Sequence, residues 1–319
     1  MKFKNIISRK MTKTFQSIAF LISMLTCSVA FSQTAALESV KRDTTSDRTK
    51  AWKRSGFVGL NFTQVNLSNW SAGGSNSISG LTLFKYSANY KDQHNSWDNY
   101  IDLAYGLSQE GDDNPRKSDD KIDISTKYGR FAFKNWYYSA LAGFRSQFAK
   151  GYNYPNDSVA ISNFLAPGYL TVALGMDYRP NDFLTVLASP CAGRMIIVND
   201  DSLAAIGAFG VDSAKTTKLE IGAMVRILFK KDIIENVGLT NKLELYSDYT
   251  GDLSKVDVNW EITLNMKVNE YISANLSTHL IYDEDTKVGI DSNDDGSIDA
   301  FGPRTQFKEV LGVGLSYKF

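Results

Sequence analysis

The C-terminal stretch Thr305–Phe319 reads TQFKEVLGVGLSYKF, and its second half places a large apolar residue at every second position. The apolar residues are Leu311, Val313, Leu315, Tyr317 and Phe319, and the residues between them are small or polar. This period of two predicts a β-strand with one apolar face and one polar face.

The sequence ends on the apolar face of this strand, at the aromatic carboxylate of Phe319. A soluble domain rarely ends on a strand that exposes Phe, whereas the last strand of a membrane barrel must pair with the first and leave no edge in lipid. The ending resembles the C-terminal assembly signal of bacterial outer-membrane proteins. We therefore expect a barrel in the outer membrane of a Gram-negative bacterium, with both termini in the periplasm.

The N-terminal sequence independently predicts export. A basic region begins the chain, an apolar run covers residues 15–30, and a small-x-small cleavage pattern ends at residue 32. These parts predict a secretory signal peptide over residues 1–32. Cys27 leaves open the alternative of a lipoprotein acylated at this residue. The residues before it fit a lipidation signal poorly, so we expect plain cleavage. A polar periplasmic lead-in is expected over residues 33–54 and the barrel over residues 55–319.

The composition limits the classes of function. Lysine plus arginine and aspartate plus glutamate each number 35, so there is no electrostatic basis for a nucleic-acid partner. After cleavage Cys191 is the one remaining cysteine, which excludes an intramolecular disulfide and a thiolate metal cluster. Mean hydropathy is −0.24. A polar average is typical of membrane barrels, whose strands alternate apolar with polar residues.

Strand-like segments separated by turn-forming residues follow Ser55. The predicted spans are 55–67, 77–91, 95–109, 119–133, 135–149, 168–180, 182–198, 216–231, 235–249, 254–268, 270–283 and 305–319. Alternation is clearest in the last five, and Pro190 with Gly193 predicts a bulge within the seventh. Alternation alone fits either a soluble sandwich or a barrel whose polar face lines a lumen.

Connection length separates these two folds. Turns after even-numbered strands are very short, such as 179–181, whereas connections after odd-numbered strands are long, such as 150–167 and 284–304. Outer-membrane barrels have this asymmetry, and a sandwich has no reason for it. We predict an all-β fold, a transmembrane antiparallel β-barrel of about 12 strands with short periplasmic turns and long extracellular loops.

The stretch DSNDDGSID at residues 291–299 has the spacing of a calcium loop, with oxygen-bearing residues at alternate positions and a glycine at the sharp turn. The predicted ligands of a structural Ca²⁺ are Asp291, Asn293, Asp295, Ser297 and Asp299. Gly302 stands where a bidentate glutamate is usual, so weak affinity is expected, with a carboxylate from residues 283–285 as a substitute. The alternative is a solvated acidic loop.

A second polar stretch, residues 61–77, has the pattern Q-x-N-x-S-N-W-x-x-G-G-x-N-S from Gln64 onward. Its amides and Trp70 could bind a sugar or another polar ligand, although a tight turn with an interfacial Trp explains the same residues. This pattern, together with the closing G-V-G-L-S-Y-K-F, resembles a Bacteroidota outer-membrane β-barrel family catalogued as domain of unknown function 3078. The resemblance covers most of the mature chain and implies an outer-membrane barrel. It supplies no catalytic residues.

The two histidines restrict catalytic hypotheses. A serine hydrolase needs a His beside its nucleophile, but His94 lies in a predicted periplasmic turn, and His279 shares a strand with Ser277 two positions away. No nucleophile-elbow motif is present. We therefore expect no enzyme activity, and we interpret His279 as a lumen residue whose partner is a neighbouring Asp or Glu.

The polar strand faces predict a lumen in which acidic and basic residues pair, as Glu244 and Glu261 do with lysines and arginines nearby in the alternation. Our leading hypothesis is a porin-like channel for small polar solutes, surrounded by membrane lipid. The alternative is a structural or assembly protein with a plugged lumen, whose partner is an outer-membrane lipoprotein or another barrel. An embedded hydrolase is the third hypothesis.

Overall fold

The computed structural model describes residues 52–68, 74–154, 156–251, 253, 255–290 and 299–319. The predicted signal peptide and most of the predicted lead-in lie outside the described residues, and so does Trp70. Among the described residues, the helices are too short or too polar for any of them to cross a membrane.

Twelve antiparallel strands form one closed barrel, which confirms the predicted fold class. They are β1 (Trp52–Val65), β2 (Ser77–Lys91), β3 (Asn95–Glu110), β4 (Arg116–Phe133), β5 (Trp136–Ser146), β8 (Gly168–Tyr178), β9 (Leu184–Ile197), β10 (Thr217–Ile234), β11 (Val237–Asp248), β12 (Asp257–Lys267), β13 (Ile272–Tyr282) and β16 (Gln306–Lys318). Each strand pairs with its neighbours along the chain, and β1 pairs with β16 to close the ring.

Short elements occupy three of the connections. They are the hairpin β6 (Gly151–Tyr152) with β7 (Ala160–Ser162), the helix α1 (Asp201–Ala205) with a 3₁₀ turn at Ala208–Gly210, and the hairpin β14 (Lys287–Ile290) with β15 (Ala300–Pro303). The sequence predicts loops over these segments, because strands of two to four residues are too short to display a period. β1 also begins at Trp52, three residues before the predicted start of the barrel at Ser55.

The barrel has a short-turn end and a long-loop end. Connections of a few residues, such as Lys134–Asn135, alternate with connections of up to about twenty residues, such as 147–167. β1 begins and β16 ends at the short-turn end, where the amides of Gly56 and Phe319 donate to each other's carbonyl oxygens at 2.7 and 3.0 Å. The predicted segregation of loop length is therefore present.

Large apolar side chains cover the outside of the barrel. Leu174 is 53% exposed, and Leu219 and Leu311 are each 67% exposed. Aromatic rings gather towards the short-turn end, where Trp52 lies 5.6 Å from Trp97 between ring centroids. An apolar band with an aromatic girdle is the exterior of a transmembrane barrel, in which lipid replaces the missing core.

A bulge interrupts β9 at Pro190, as the sequence predicted. Leu174 pairs with Cys191, but Met176 pairs with Ala188, so β9 contains more residues than β8 at this point. Gly175 lies opposite the bulge, and a Cβ atom there would overlap the carbonyl oxygen of Ala188. The bulge therefore requires the absence of a side chain on the neighbouring strand.

We expect Gly175→Ala to lower the free energy of unfolding by about 1–3 kcal/mol, because the added methyl group forces the backbone of the bulge to shift. Gly143→Ala is the matched control, since the nearest atom to its new Cβ would be the Ile124 carbonyl oxygen at 3.9 Å. Urea unfolding, followed by the loss of heat-modifiable gel migration, measures both variants. Equal midpoints would contradict the assigned role of Gly175.

Candidate functional site

The lumen carries charged side chains that connect opposite walls of the barrel. The ammonium of Lys121 on β4 lies 2.7 Å from the carboxylate of Glu261 on β12 and 2.8 Å from that of Asp102 on β3. Five strands separate β4 from β12 in either direction around the ring. Lys121 and Glu261 therefore bring diametrically opposite walls together.

Two further ion pairs link the same pair of walls. Lys242 on β11 lies 2.5 Å from Asp123 on β4, and Arg145 on β5 lies 2.9 Å from Glu244 on β11. All four side chains are at most 24% exposed. Because an unpaired charge in such surroundings is strongly destabilising, these pairs hold the walls in register. Side chains thus fill this part of the lumen.

Arginines organise two further clusters of buried charge. Arg194 on β9 binds Glu220 at 2.7 Å and Asp257 at 2.5 Å, and its guanidinium lies 4.3 Å from the ring centroid of Tyr246. Near the short-turn end, the Arg179 guanidinium forms ion pairs with Asp177 at 2.6 Å and with Asp98 at 2.8 Å. The predicted mixed-sign pairing of the lumen is confirmed.

A cavity of about 50 Å³ lies beside the Lys121–Glu261 contact. β1, β2, β3, β4, β12, β13 and β16 contribute its walls, and the lining combines charged, amide, hydroxyl and aliphatic groups. Lys308 at its edge is paired with Asp119 at 2.7 Å. The cavity is the part of the lumen in which side chains leave space for another molecule.

His279 lines this cavity, and its partner is an amide. The Nε2 atom lies 2.9 Å from Asn259 Oδ1, while Ser277 Oγ lies 3.5 Å from Thr263 Oγ1. His279 is a hydrogen-bonded lumen residue as predicted, but its partner is the Asn259 amide on the adjacent strand and not a carboxylate.

Two amides of the cavity wall have a buried atom without a hydrogen-bond partner in the part of the chain that the structure describes. These atoms are Asn61 Nδ2 and Asn275 Oδ1. Asn61 begins the polar stretch 61–77, and Asn275 lies within the predicted strand 270–283. Their missing partners could not be predicted from the sequence, because only the packing around an amide decides whether it is satisfied.

The connection between β9 and β10 packs over the long-loop end of the lumen. Leu203 and Ala204 of α1 contact Ile196 and Val198, which continue the inward face of β9. Asp200 caps this helix, and hydrogen bonds from Asn163 and from backbone amides lower the pKa of its carboxyl group. The connection therefore covers part of the barrel mouth.

The predicted calcium ligands belong to the segment of sequence between β14 and β15. Asp291, Asn293, Asp295 and Ser297 are outside the described residues, and the amide of Asp299 donates to the Ile290 carbonyl oxygen at 2.8 Å. No cluster of three or more potential metal ligands is found among the described His, Cys, Asp and Glu residues. Calcium binding at this loop stays a prediction.

The carboxylates proposed as substitute ligands have other partners. Asp283 Oδ1 accepts from the amide of Asp285 at 2.9 Å, and Glu284 Oε2 accepts from the Tyr282 hydroxyl at 2.6 Å. Asp285 itself binds Lys218 at 2.6 Å. These interactions tie the base of the hairpin to the barrel.

Solved outer-membrane barrels are distantly similar to the chain. The COG4313 outer membrane channel from Pseudomonas putida F1 is 10% identical at a TM-score of 0.37, with 83% of this chain and 95% of that chain covered. The translocator domain of autotransporter NalP from Neisseria meningitidis is also 10% identical, at 0.35, covering 86% and 90%. Outer membrane phospholipase A from Escherichia coli is 11% identical, at 0.32, covering 83% and 95%.

No curated protein sequence matches the chain. A family model does match part of it, over residues 62–152, which is less than half of the 319 residues. This part includes the end of β1 and the whole first long connection. The matched family is described as Protein of unknown function (DUF3078), which agrees with the resemblance of the stretch from Gln64 onward, whereas the match does not extend to the closing G-V-G-L-S-Y-K-F.

Proposed function

We propose that the protein is an outer-membrane channel for small polar solutes, with a lumen narrowed by ion pairs between opposite walls. The observation that carries this proposal is the polar cavity beside Lys121 and Glu261. Charges of both signs line it, as suits uncharged or zwitterionic solutes better than ions of one sign. The proposal includes no enzymatic activity.

The exterior of the barrel supports a place in the outer membrane. Closed barrels satisfy every backbone group without water, and their apolar band contacts membrane lipid. Barrels of this kind have short turns on the periplasmic side, so we place both termini there and the long loops outside the cell. Cleavage of the signal peptide after residue 32 belongs to the same proposal.

The wall-to-wall ion pairs predict a small conductance. Solutes must pass beside Lys121–Glu261 and Arg145–Glu244, or wait until these contacts separate. The connection that carries α1 narrows the mouth further. A channel built in this way admits water-sized or slightly larger molecules at rest.

The same ion pairs favour the alternative function, a structural or assembly protein. If the pairs never separate, the lumen is closed to solutes. The long loops are then the docking surface for an outer-membrane lipoprotein or another barrel. The two functions differ in whether the lumen conducts.

Single-channel conductance in planar bilayers separates the two functions. We expect small steps from the mature protein and steps severalfold larger from the Arg145→Met/Glu244→Gln variant, because both charges of this wall-to-wall ion pair leave together and neither remains buried alone. Lys215→Gln is the control, since its ion pair with Asp212 is exposed on a loop. Heat-modifiable migration verifies that each protein is folded.

Silence from both the mature protein and the double variant, with folded protein in each bilayer, would reject the channel. The plugged structural barrel would then be the better function, and co-purification from outer membranes would be the next measurement.

We also propose that residues 291–299 bind a structural Ca²⁺ with weak affinity. Tb³⁺ replaces Ca²⁺ in such loops, and nearby aromatic residues sensitise its luminescence. We expect a signal that excess Ca²⁺ displaces and that Asp291→Asn/Asp295→Asn abolishes, because both predicted carboxylate ligands are lost. Asp112→Asn/Asp113→Asn, in the connection between β3 and β4, is the control. Equal signals from the two double variants would contradict the proposed site.

A further inference from the structure

The seam that closes the barrel is shorter than the strands that form it. β1 and β16 pair over Phe57–Asn61 against Gly314–Lys318, and the hydrogen bonds between Gly56 and Phe319 extend this pairing by one residue at the short-turn end. By comparison, β16 pairs with β13 over ten residues, and β1 pairs with β2 over fourteen. The pairing begins at the short-turn end and stops part of the way along both strands.

Both strands continue beyond the pairing, within the described part of the chain. The continuing segments are Phe62–Val65 of β1 and Gln306–Val313 of β16. Their outward side chains include Phe62, Leu311 and Val313, which are 62%, 67% and 59% exposed. Such residues belong to the lipid-facing band, where a sheet edge without partners is unfavourable. Backbone pairing therefore does not close the wall at this place.

The opening leads into the cavity. Lys308, Val310 and Gly312 face inward along the free edge of β16, and Asn61 faces inward where the pairing ends. A Cβ atom at position 312 would overlap the side-chain amide of Asn61, so the glycine makes room for that amide. Asn61 thus marks the inner rim of the opening.

Amides form a row at this level of the cavity. Gly312 pairs with Asn275 on β13, which in turn pairs with Asn265 on β12. The unpartnered Nδ2 of Asn61 and the unpartnered Oδ1 of Asn275 therefore lie on the two sides of Gly312. A hydroxyl group can accept from the first and donate to the second.

The charged groups nearby are already paired. Lys121 contacts Asp102 and Glu261, and Lys308 contacts Asp119. A charged headgroup would compete with these contacts, whereas an uncharged headgroup would leave them intact. The cavity therefore favours a neutral, hydroxyl-bearing ligand.

We propose that the seam between β1 and β16 is a lateral portal for an uncharged amphiphile with a hydroxyl-bearing headgroup and an alkyl chain. The headgroup binds Asn61 and Asn275, and the chain extends through the opening past Phe62 and Leu311 into the membrane. This inference rests on the proposed function in using the same cavity, and it adds a substrate class and a second route into the lumen.

Binding of a probe tests the site. The probe is a monoacylglycerol with a nitrobenzoxadiazole fluorophore on its chain, added to the mature protein in phosphatidylcholine vesicles. We expect saturable fluorescence from the parent protein and at least tenfold weaker binding by Asn61→Leu. Asn241→Leu is the matched control, because Asn241 faces outward on β11 and binds the Trp260 indole. No saturable binding by the parent protein, or equal affinity of Asn61→Leu, would overturn the site.

A disulfide across the opening tests the route. In a Cys191→Ser background, Phe62→Cys/Val313→Cys places two thiols at positions that become opposite when the pairing is extended by one residue. We expect oxidation to abolish probe binding and reduction to restore it. The control pair, Leu60→Cys/Leu315→Cys, lies where the strands already pair, so its oxidation leaves binding unchanged.

The two experiments distinguish failure of the portal from failure of the channel. Unchanged probe binding after the 62–313 disulfide has formed would reject the portal, whatever the conductance. Loss of binding on oxidation in a protein that never conducts would keep the portal and reject passage across the membrane.

Discussion

The structure depends on one constraint, that a backbone amide or carbonyl in hydrocarbon must find its partner within the protein. Closure of the sheet by β1 and β16 meets this demand for most of the wall. The same demand explains why apolar residues alternate with polar ones, because a closed sheet has one face in lipid and one face in the lumen. Along the seam between β1 and β16, fewer backbone groups have such a partner than between the other strands of the barrel.

In the lumen, ion pairs between side chains take the part that backbone hydrogen bonds have in the barrel wall. A barrel of twelve strands is wider than one of eight strands, whose inward side chains fill the interior. Here Lys121, Lys242 and Arg145 draw opposite walls together and leave the remaining space on one side. The polar cavity is thus a consequence of where the charges pair.

The local sequence pattern predicted the strands and turns of the barrel wall well. The strands, the bulge at Pro190 and the two kinds of connection follow from a period of two, from proline and from loop length, which are all visible along the sequence. The partner of Lys121 was not predictable, because Glu261 is 140 residues away and many acidic residues face the lumen. The orphan amides and the short seam likewise depend on packing between strands that are distant in sequence, and the hairpins were too short to show a period.

Lys121 has a consequence for how the chain can vary. Its ammonium serves two carboxylates, Asp102 on its own wall and Glu261 on the opposite wall. A neutral residue at position 121 would leave both carboxylates short of a partner, so a tolerated change there requires compensation at two distant positions. The three positions should therefore covary in evolution as one unit.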